Sequence, residues 1–340
     1  MTLRRWDRCW RKLAGIALAA SACLWAADFP RPQIPSNNPM STAKVELGRY
    51  LFYEKRMSVN GKKSCGTCHR QDLAFTDGRA RAEGTTGELH PRGSMSLVNV
   101  AYAPRLTWAN PTLDSLEEQA LTPMLGEDPV ELGLKGRETE FLNVLRGDAR
   151  YRVLFAAAFP QERDAFTLAN VTKAIAAFER TIISMRSPYD RYRFGGDMSA
   201  ISPAAKRGEL LFSSSERGGC FQCHGGWNFS GVRYEGQKNR DGVGEIFFNT
   251  GVSDTGMFRA PTLRNIAVTA PYMHDGSIAT LEAVLDHYTA GGKVDHPNKS
   301  KILRKFDLSP SERADLIEFL KSLTDEELLH DPRWSDPWPK

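Results

Sequence analysis

Cys65-Gly66-Thr67-Cys68-His69 is a Cys-x-x-Cys-His stretch, and the same spacing returns at Cys220-Phe221-Gln222-Cys223-His224. Two thiols one helical turn apart can add to the two vinyl groups of one porphyrin. The adjacent imidazole then falls beneath the iron as its proximal ligand. Two Cys-x-x-Cys pairs also suit a zinc site or two disulfides, but neither explains a His directly after the second Cys both times. The expectation is two covalently attached haem c groups, with His69 and His224 on the irons.

Working outward, each motif is preceded by the same arrangement. Thr42 to Phe52 is a helical stretch behind Ser41, ending Leu-Gly-Arg-Tyr-Leu-Phe. Ser202 to Phe212 is another, ending Lys-Arg-Gly-Glu-Leu-Leu-Phe. An N-cap residue, a helix and a Leu-Phe pair a short loop before the haem motif make a repeat of about 155 residues. The fold class expected is therefore mainly α: two cytochrome c-like domains, each with one covalent haem c, with long loops and little strand.

Between the copies, Val171, Ile175, Phe178, Ile182 and Met185 recur at helical spacing, which predicts a connecting helix over Val171 to Met185 that Pro188 stops. Helices are also expected at Ser115 to Leu121, Glu138 to Leu145, Tyr151 to Phe159 and Ser309 to Leu323, and a strand at Gly244 to Phe248. The domain expectation is a signal peptide at 1–27, a Pro, Asn and Ser-rich linker at 28–40, an N-terminal cytochrome c-like domain at 41–187, a C-terminal one at 188–330, and a tail at 331–340. The tail is read as a loosely held terminus, the alternative being that it packs on the body with Trp334 and Trp338.

At 340 residues the chain is long enough for two such domains. Arg4, Arg5, Arg8, Arg11 and Lys12, then an apolar run from Leu13 to Trp25, then Ala26 and Ala27, read as a cleaved export signal; the run is too short to span a bilayer. In bacteria haem is attached outside the cytoplasm, so the expected address is the periplasm. Cleavage near Ala27 removes Cys9 and Cys23; the weaker alternative, that Ala20-Ser21-Ala22-Cys23 is a lipoprotein site, would anchor the chain through Cys23. The signal carries the whole formal net charge of +4, so a nucleic-acid role has no electrostatic support.

Longer motifs carry a resemblance. Leu-Gly-Arg-Tyr-Leu-Phe, Ala-Phe-Thr-Asp-Gly from Ala74 to Gly78, Ser-Leu-Glu-Glu-Gln-Ala from Ser115 to Ala120, and Pro-Thr-Leu-Arg-Asn followed by Ala-Pro-Tyr-Met-His-Asp-Gly between Pro261 and Gly276 stand in one order. From about Ala43 to Leu323 the chain resembles the bacterial di-haem cytochrome c peroxidase and MauG superfamily. The resemblance implies a peroxide-reactive haem in the N-terminal half and a relay haem in the C-terminal half. It also implies a distal amide at Gln119, a distal acid at Glu131 and an inter-haem aromatic at Trp108. From spacing alone, Glu131 would be a solvated loop carboxylate and Trp108 a core aromatic.

The departures from that family are informative. Peroxidases of the family carry a Met on the relay haem where this chain has Tyr288, the residue found in MauG-like enzymes. A thioether favours ferrous iron, whereas an oxygen ligand favours ferric and higher states. Packing by Tyr288 with ligation by His287 is the alternative. His90 lies in the loop that supplies a removable His to the first haem in peroxidases, but about five residues later than the family count, so it is not expected to ligate. Gly93 occupies the place of an Asn calcium ligand, leaving calcium to backbone oxygens around Arg259 to Pro261 and to water. Trp-Ala-Asn-Pro after Thr107, His-Pro-Arg-Gly-Ser-Met-Ser-Leu from His90 and Pro-Val-Glu-Leu-Gly from Pro129 look most like the MbnH-type di-haem enzymes, which act on a Trp of a partner protein, MbnP, linked to copper handling.

The functional expectation is a periplasmic di-haem enzyme that uses hydrogen peroxide to oxidise a residue, a Trp, of a partner protein. The alternatives are a cytochrome c peroxidase fed by a small cytochrome, and a non-catalytic electron-transfer cytochrome. Trp227, just after the second motif, reads as a haem-edge packing residue.

Overall fold

The computed structural model describes residues 29–103, 105–110, 113–231, 247–249, 257–292, 300 and 302–339. The expected export signal, with Cys9 and Cys23, lies outside them.

Each half is built on a pair of crossing helices. In the first, Thr42–Phe52 crosses Leu168–Glu179; in the second, Pro203–Phe212 crosses Pro310–Ser322. The crossings are equivalent and equally tight. A Cβ placed on Gly48 would lie 1.9 Å from the carbonyl oxygen of Ala174, and one on Gly208 would lie 2.0 Å from that of Asp315. Only a residue without a side chain lets the backbones approach this far. Four residues later the pattern repeats: Phe52 meets Phe178 at 5.2 Å between centroids, and Phe212 meets Phe319 at 5.1 Å. The N-caps are local. Ser41, Thr167, Ser202 and Ser309 each accept a hydrogen bond from the backbone N–H three residues on.

Two hydrophobic clusters follow, one around Leu47, Phe52, Phe75, Phe155 and Phe178, the other around Phe212, Phe229, Leu285, Phe319 and Leu323. The chain ends by returning to the first. Leu328 and Leu329, on the helix Glu326–His330, join the N-terminal cluster together with Trp334. The tail is therefore held, contrary to the expectation of a loose terminus. Trp334 donates its indole N–H to the Thr181 carbonyl at 3.0 Å, Tyr53 donates to the Trp334 carbonyl at 2.6 Å, and Arg56 and Arg150 lie over the Trp338 ring. Buried donors that find partners here hold the backbone in place.

The expected helix over Val171 to Met185 is corrected to Leu168–Glu179, and it is one member of the first crossing rather than a connector. Helical spacing continues past Glu179, but the backbone groups have other partners. Asn99 N–H donates to the Ile182 carbonyl at 2.9 Å, Asn99 Oδ1 accepts from Ser184 N–H at 2.8 Å, and Asp325 Oδ2 accepts from the N–H groups of Met185 and Arg186. Long-range side chains have replaced the i−4 ladder. Pro188 starts the next helix, Pro188–Arg193, behind a capping box of Ser187 and Asp190. The strand signal near Phe248 resolves as Phe247–Asn249 paired antiparallel with Met257–Arg259; 244–246 lie outside the described residues.

Gly48→Ala and Gly208→Ala are each expected to destabilise the holoprotein by about 1–3 kcal/mol through overpacking. Gly147→Ala, where a Cβ meets nothing within 4 Å, should be neutral or stabilising. Urea melts that place all three alike would show that the crossings do not constrain the fold.

Candidate functional site

Cys65–Cys68 is a single helical turn, and Ser64 N–H donates to Thr67 Oγ1 at 3.0 Å at its start. None of the four motif cysteines is in a disulfide, so each pair is available for covalent attachment.

After His69 the chain turns through two consecutive left-handed residues, Ala74 at φ 49° and Phe75 at φ 61°. Non-glycine residues adopt this region at a cost, and here it aims a carbonyl. The Phe75 carbonyl accepts from His69 Nδ1 at 2.8 Å. The second half does the same with Phe229, at φ 51°: His224 Nδ1 lies 3.2 Å from the Phe229 carbonyl and 3.1 Å from that of Pro261. With Nδ1 committed as donor, Nε2 is left as the lone-pair face, the arrangement of a metal-ligating imidazole. Burial lowers both imidazole pKa values and favours the neutral, ligating form.

Beside the second motif lies a cavity of about 670 Å³, lined by Cys220, Cys223, His224, Phe258, Trp108 and Tyr288. Its wall is mostly apolar. Tyr288, on the helix Leu281–Thr289, has no hydrogen-bond partner for its hydroxyl among the described residues, and burial raises its pKa. A flat apolar cofactor bound through two thiols and an imidazole fits this set, as it fits Cys65, Cys68 and His69.

The distal candidates from the sequence are brought together unevenly. Glu131 and His90 meet, with His90 Nε2 3.8 Å from Glu131 Oε1, each side chain about one third exposed. Desolvation raises the pKa of Glu131, and its charge is felt at both Cys65 and Cys68. Gln119 closes the one-turn helix Leu116–Gln119, and its amide has no hydrogen-bond partner among the described residues. Glu117, two residues earlier, is tied down by a bidentate pair with Arg180 at 2.7 and 2.8 Å and by Asn38 Nδ2 at 2.6 Å. Trp108 lines the second cavity while its indole donates at 2.9 Å to the carbonyl of Gly93. The Gly93 N–H donates to His274. Thus one of the expected calcium oxygens, that of Pro261, faces His224, and the backbone oxygen at Gly93 accepts from Trp108.

Trp227 packs against Phe29 at 5.5 Å and Tyr102 at 4.7 Å, with the buried Arg264–Asp190 pair behind it. Sequence reasoning missed Glu179. This residue is 4% exposed, its Oε2 has no hydrogen-bond partner among the described residues, and burial, partly offset by Arg180, pushes its carboxyl up to about 8. An acid inside an otherwise apolar helix stretch was the available signal.

A family model described as di-haem cytochrome c peroxidase matches residues 42–198, and one described as cytochrome c matches 205–324. Methylamine utilization protein MauG of Methylorubrum extorquens is 38% identical over 308 residues, covering 88% of this chain and 84% of that protein. Cytochrome c551 peroxidase of Nitrosomonas europaea is 30% identical, covering 92% and 89%. The crystal structure of a MauG-like protein associated with microbial copper homeostasis superposes with a TM-score of 0.85 at 41% identity, covering 92% of this chain and 97% of that one. The di-haem peroxidase BthA of Burkholderia thailandensis, at 19% identity, shares the fold with a TM-score of 0.67.

Glu179 generates a stability prediction. Its folded pKa lies above the ordinary 4.5, so the folded state holds a proton that the unfolded chain releases, and stability falls as pH rises from about 4.5 to about 8. Glu179→Gln is expected to remove that loss and stabilise the holoprotein by roughly 2–4 kcal/mol at pH 7.5, with little effect at pH 4.5. Chemical denaturation at both pH values checks it; equal effects at the two would show that the carboxyl does not titrate there.

Proposed function

This chain belongs to the di-haem cytochrome c peroxidase and MauG family, and from that premise we propose that it uses hydrogen peroxide to oxidise a residue, a Trp, of a partner protein in the periplasm. As a family member it is a haem-dependent oxidoreductase of the di-haem oxidase and peroxidase kind. Two haem c groups, bound through Cys65 and Cys68 and through Cys220 and Cys223, supply the redox chemistry, with His69, His224 and Tyr288 as iron ligands.

The residues of the chain supply the rest. Cleaving peroxide needs a proton moved from the oxygen that stays to the oxygen that leaves as water, and Glu131 holds it in between. Desolvation raises the pKa of Glu131, the direction that helps a carboxyl hold a proton before passing it on. The Gln119 amide orients the peroxide by hydrogen bonding. Trp108, lining the second cavity and bonded to the Gly93 loop, joins the two centres. Calcium enters only as a hard cation on backbone oxygens from Arg259 to Pro261, with water in place of the side chain that Gly93 lacks.

The observation that carries this reading is Tyr288, whose hydroxyl has no hydrogen-bond partner among the described residues and whose side chain lines the cavity beside His224. An oxygen donor there disfavours the high-potential relay that a peroxidase fed by a small cytochrome requires. The protein substrate is supported by the 41% identity to the MauG-like protein associated with copper homeostasis. The periplasmic address rests on the N-terminal signal; no helix among the described residues is long and apolar enough to cross a membrane.

The resting ferric holoprotein is expected to show one high-spin and one low-spin haem by electron paramagnetic resonance. Tyr288→Met should abolish oxidation of the partner while allowing turnover with reduced cytochrome c; partner oxidation at the wild-type rate would overturn the assignment. Glu131→Gln should slow the reaction with stoichiometric peroxide by about 10²- to 10⁴-fold, measured by stopped flow.

A further inference from the structure

His90 has no role in the reading above, yet the fold fixes it against Glu131. Residues 82–92 form a small hairpin: His90 N–H donates to the Ala82 carbonyl at 2.7 Å, Ala82 N–H to the Arg92 carbonyl at 3.1 Å, and Glu83 bridges to Leu89. The hairpin is docked on the backbone that carries the distal acid. Thr85 N–H donates to the carbonyl of Glu131 itself at 2.8 Å, Val130 N–H donates to Glu88 Oε2 at 3.3 Å, and a Cβ on Gly84 would lie 1.9 Å from the Val130 oxygen. The two side chains are therefore held in register by main-chain bonds.

The imidazole is oriented as well as placed. His90 Nδ1 accepts from the Arg92 N–H at 3.4 Å, so the proton of the neutral ring sits on Nε2, which points at Glu131 Oε1 across 3.8 Å. A small side-chain rotation closes that gap to hydrogen-bond distance. Both side chains are about one third exposed, so the pair spans from the acid to solvent.

We propose that His90 is a proton-relay residue, exchanging protons between bulk water and Glu131. This rests on the peroxide reading of the His69 site. Cleavage of the peroxide consumes no net proton. Converting the retained oxygen to water then takes two electrons, supplied by the oxidised partner, and two protons, which must come from solvent. His90 first takes a proton from water at its exposed side to become the imidazolium, then gives its Nε2 proton to the ionised Glu131 and returns to the neutral ring; Glu131 passes each proton inward. The charged groups facing the pair are Arg81 and Arg92 on the hairpin and Glu88, whose carboxylate caps Val130. Desolvation and the two arginines lower the imidazole pKa while desolvation raises that of Glu131, and both shifts favour transfer from the imidazolium to the carboxylate.

The test uses the di-haem holoprotein oxidised by stoichiometric peroxide and returned to the ferric state by ascorbate, in H₂O and D₂O between pH 5 and 9. His90→Gln is expected to slow the return at least tenfold at pH 7 and enlarge the solvent isotope effect. His90→Ala should do the same and be rescued by millimolar imidazole, which a purely structural role would not produce. Wild-type kinetics in His90→Gln, with Glu131→Gln slowed, overturn the relay and leave the peroxide site standing. Wild-type kinetics in both overturn the peroxide site. A change of the resting first haem from low-spin to high-spin in His90→Gln would make His90 an iron ligand and also overturn the relay.

Discussion

Each half of this protein depends on one hydrogen bond, from the Nδ1 of a motif histidine to the carbonyl of a left-handed phenylalanine. His69 finds Phe75 and His224 finds Phe229. The bond fixes the tautomer, turns Nε2 toward the space beside the two cysteines, and accounts for unfavourable backbone at Phe75 and Phe229. Phe75 and Phe229 also belong to the two hydrophobic clusters. Imidazole orientation and core packing are thus the same constraint.

The crossings at Gly48 and Gly208 hold those cores to a common plan, and the halves then diverge. In the first, the loop after the motif carries a hairpin with His90, docked on Glu131. In the second, the corresponding space is a cavity that meets Tyr288. The repeat gives the common frame. The loop carrying His90 against Glu131 in one half and Tyr288 in the other are where the halves differ, and the proposed division into a peroxide-reactive centre and its partner rests on that difference.

The hairpin also serves as the junction. Its end at Gly93 receives the Trp108 indole and donates to His274, while Arg259 N–H donates to the Trp108 carbonyl at 2.8 Å. Groups on both sides of the molecule therefore meet at one tryptophan. Where the family expects an Asn for calcium, this chain has a glycine whose backbone is already used in that contact.

The sequence by itself determined the two attachment motifs, the repeat, the helix starts at Ser41, Ser202 and Ser309, and the family. These are signals contained within a few residues, where thiol spacing and N-cap chemistry act locally. The tertiary structure decided where the helix beginning at Leu168 stops, that the C-terminal tryptophans return to the first core, and that His90 faces Glu131. Helical spacing ran on to Met185 because local pattern does not register Asn99 or Asp325, which take the backbone groups of 182–186 from some 80 and 140 residues away in sequence. The meeting of His90 and Glu131 was illegible for the same reason: main-chain bonds between a hairpin and a distant loop set it, and no periodicity records such bonds.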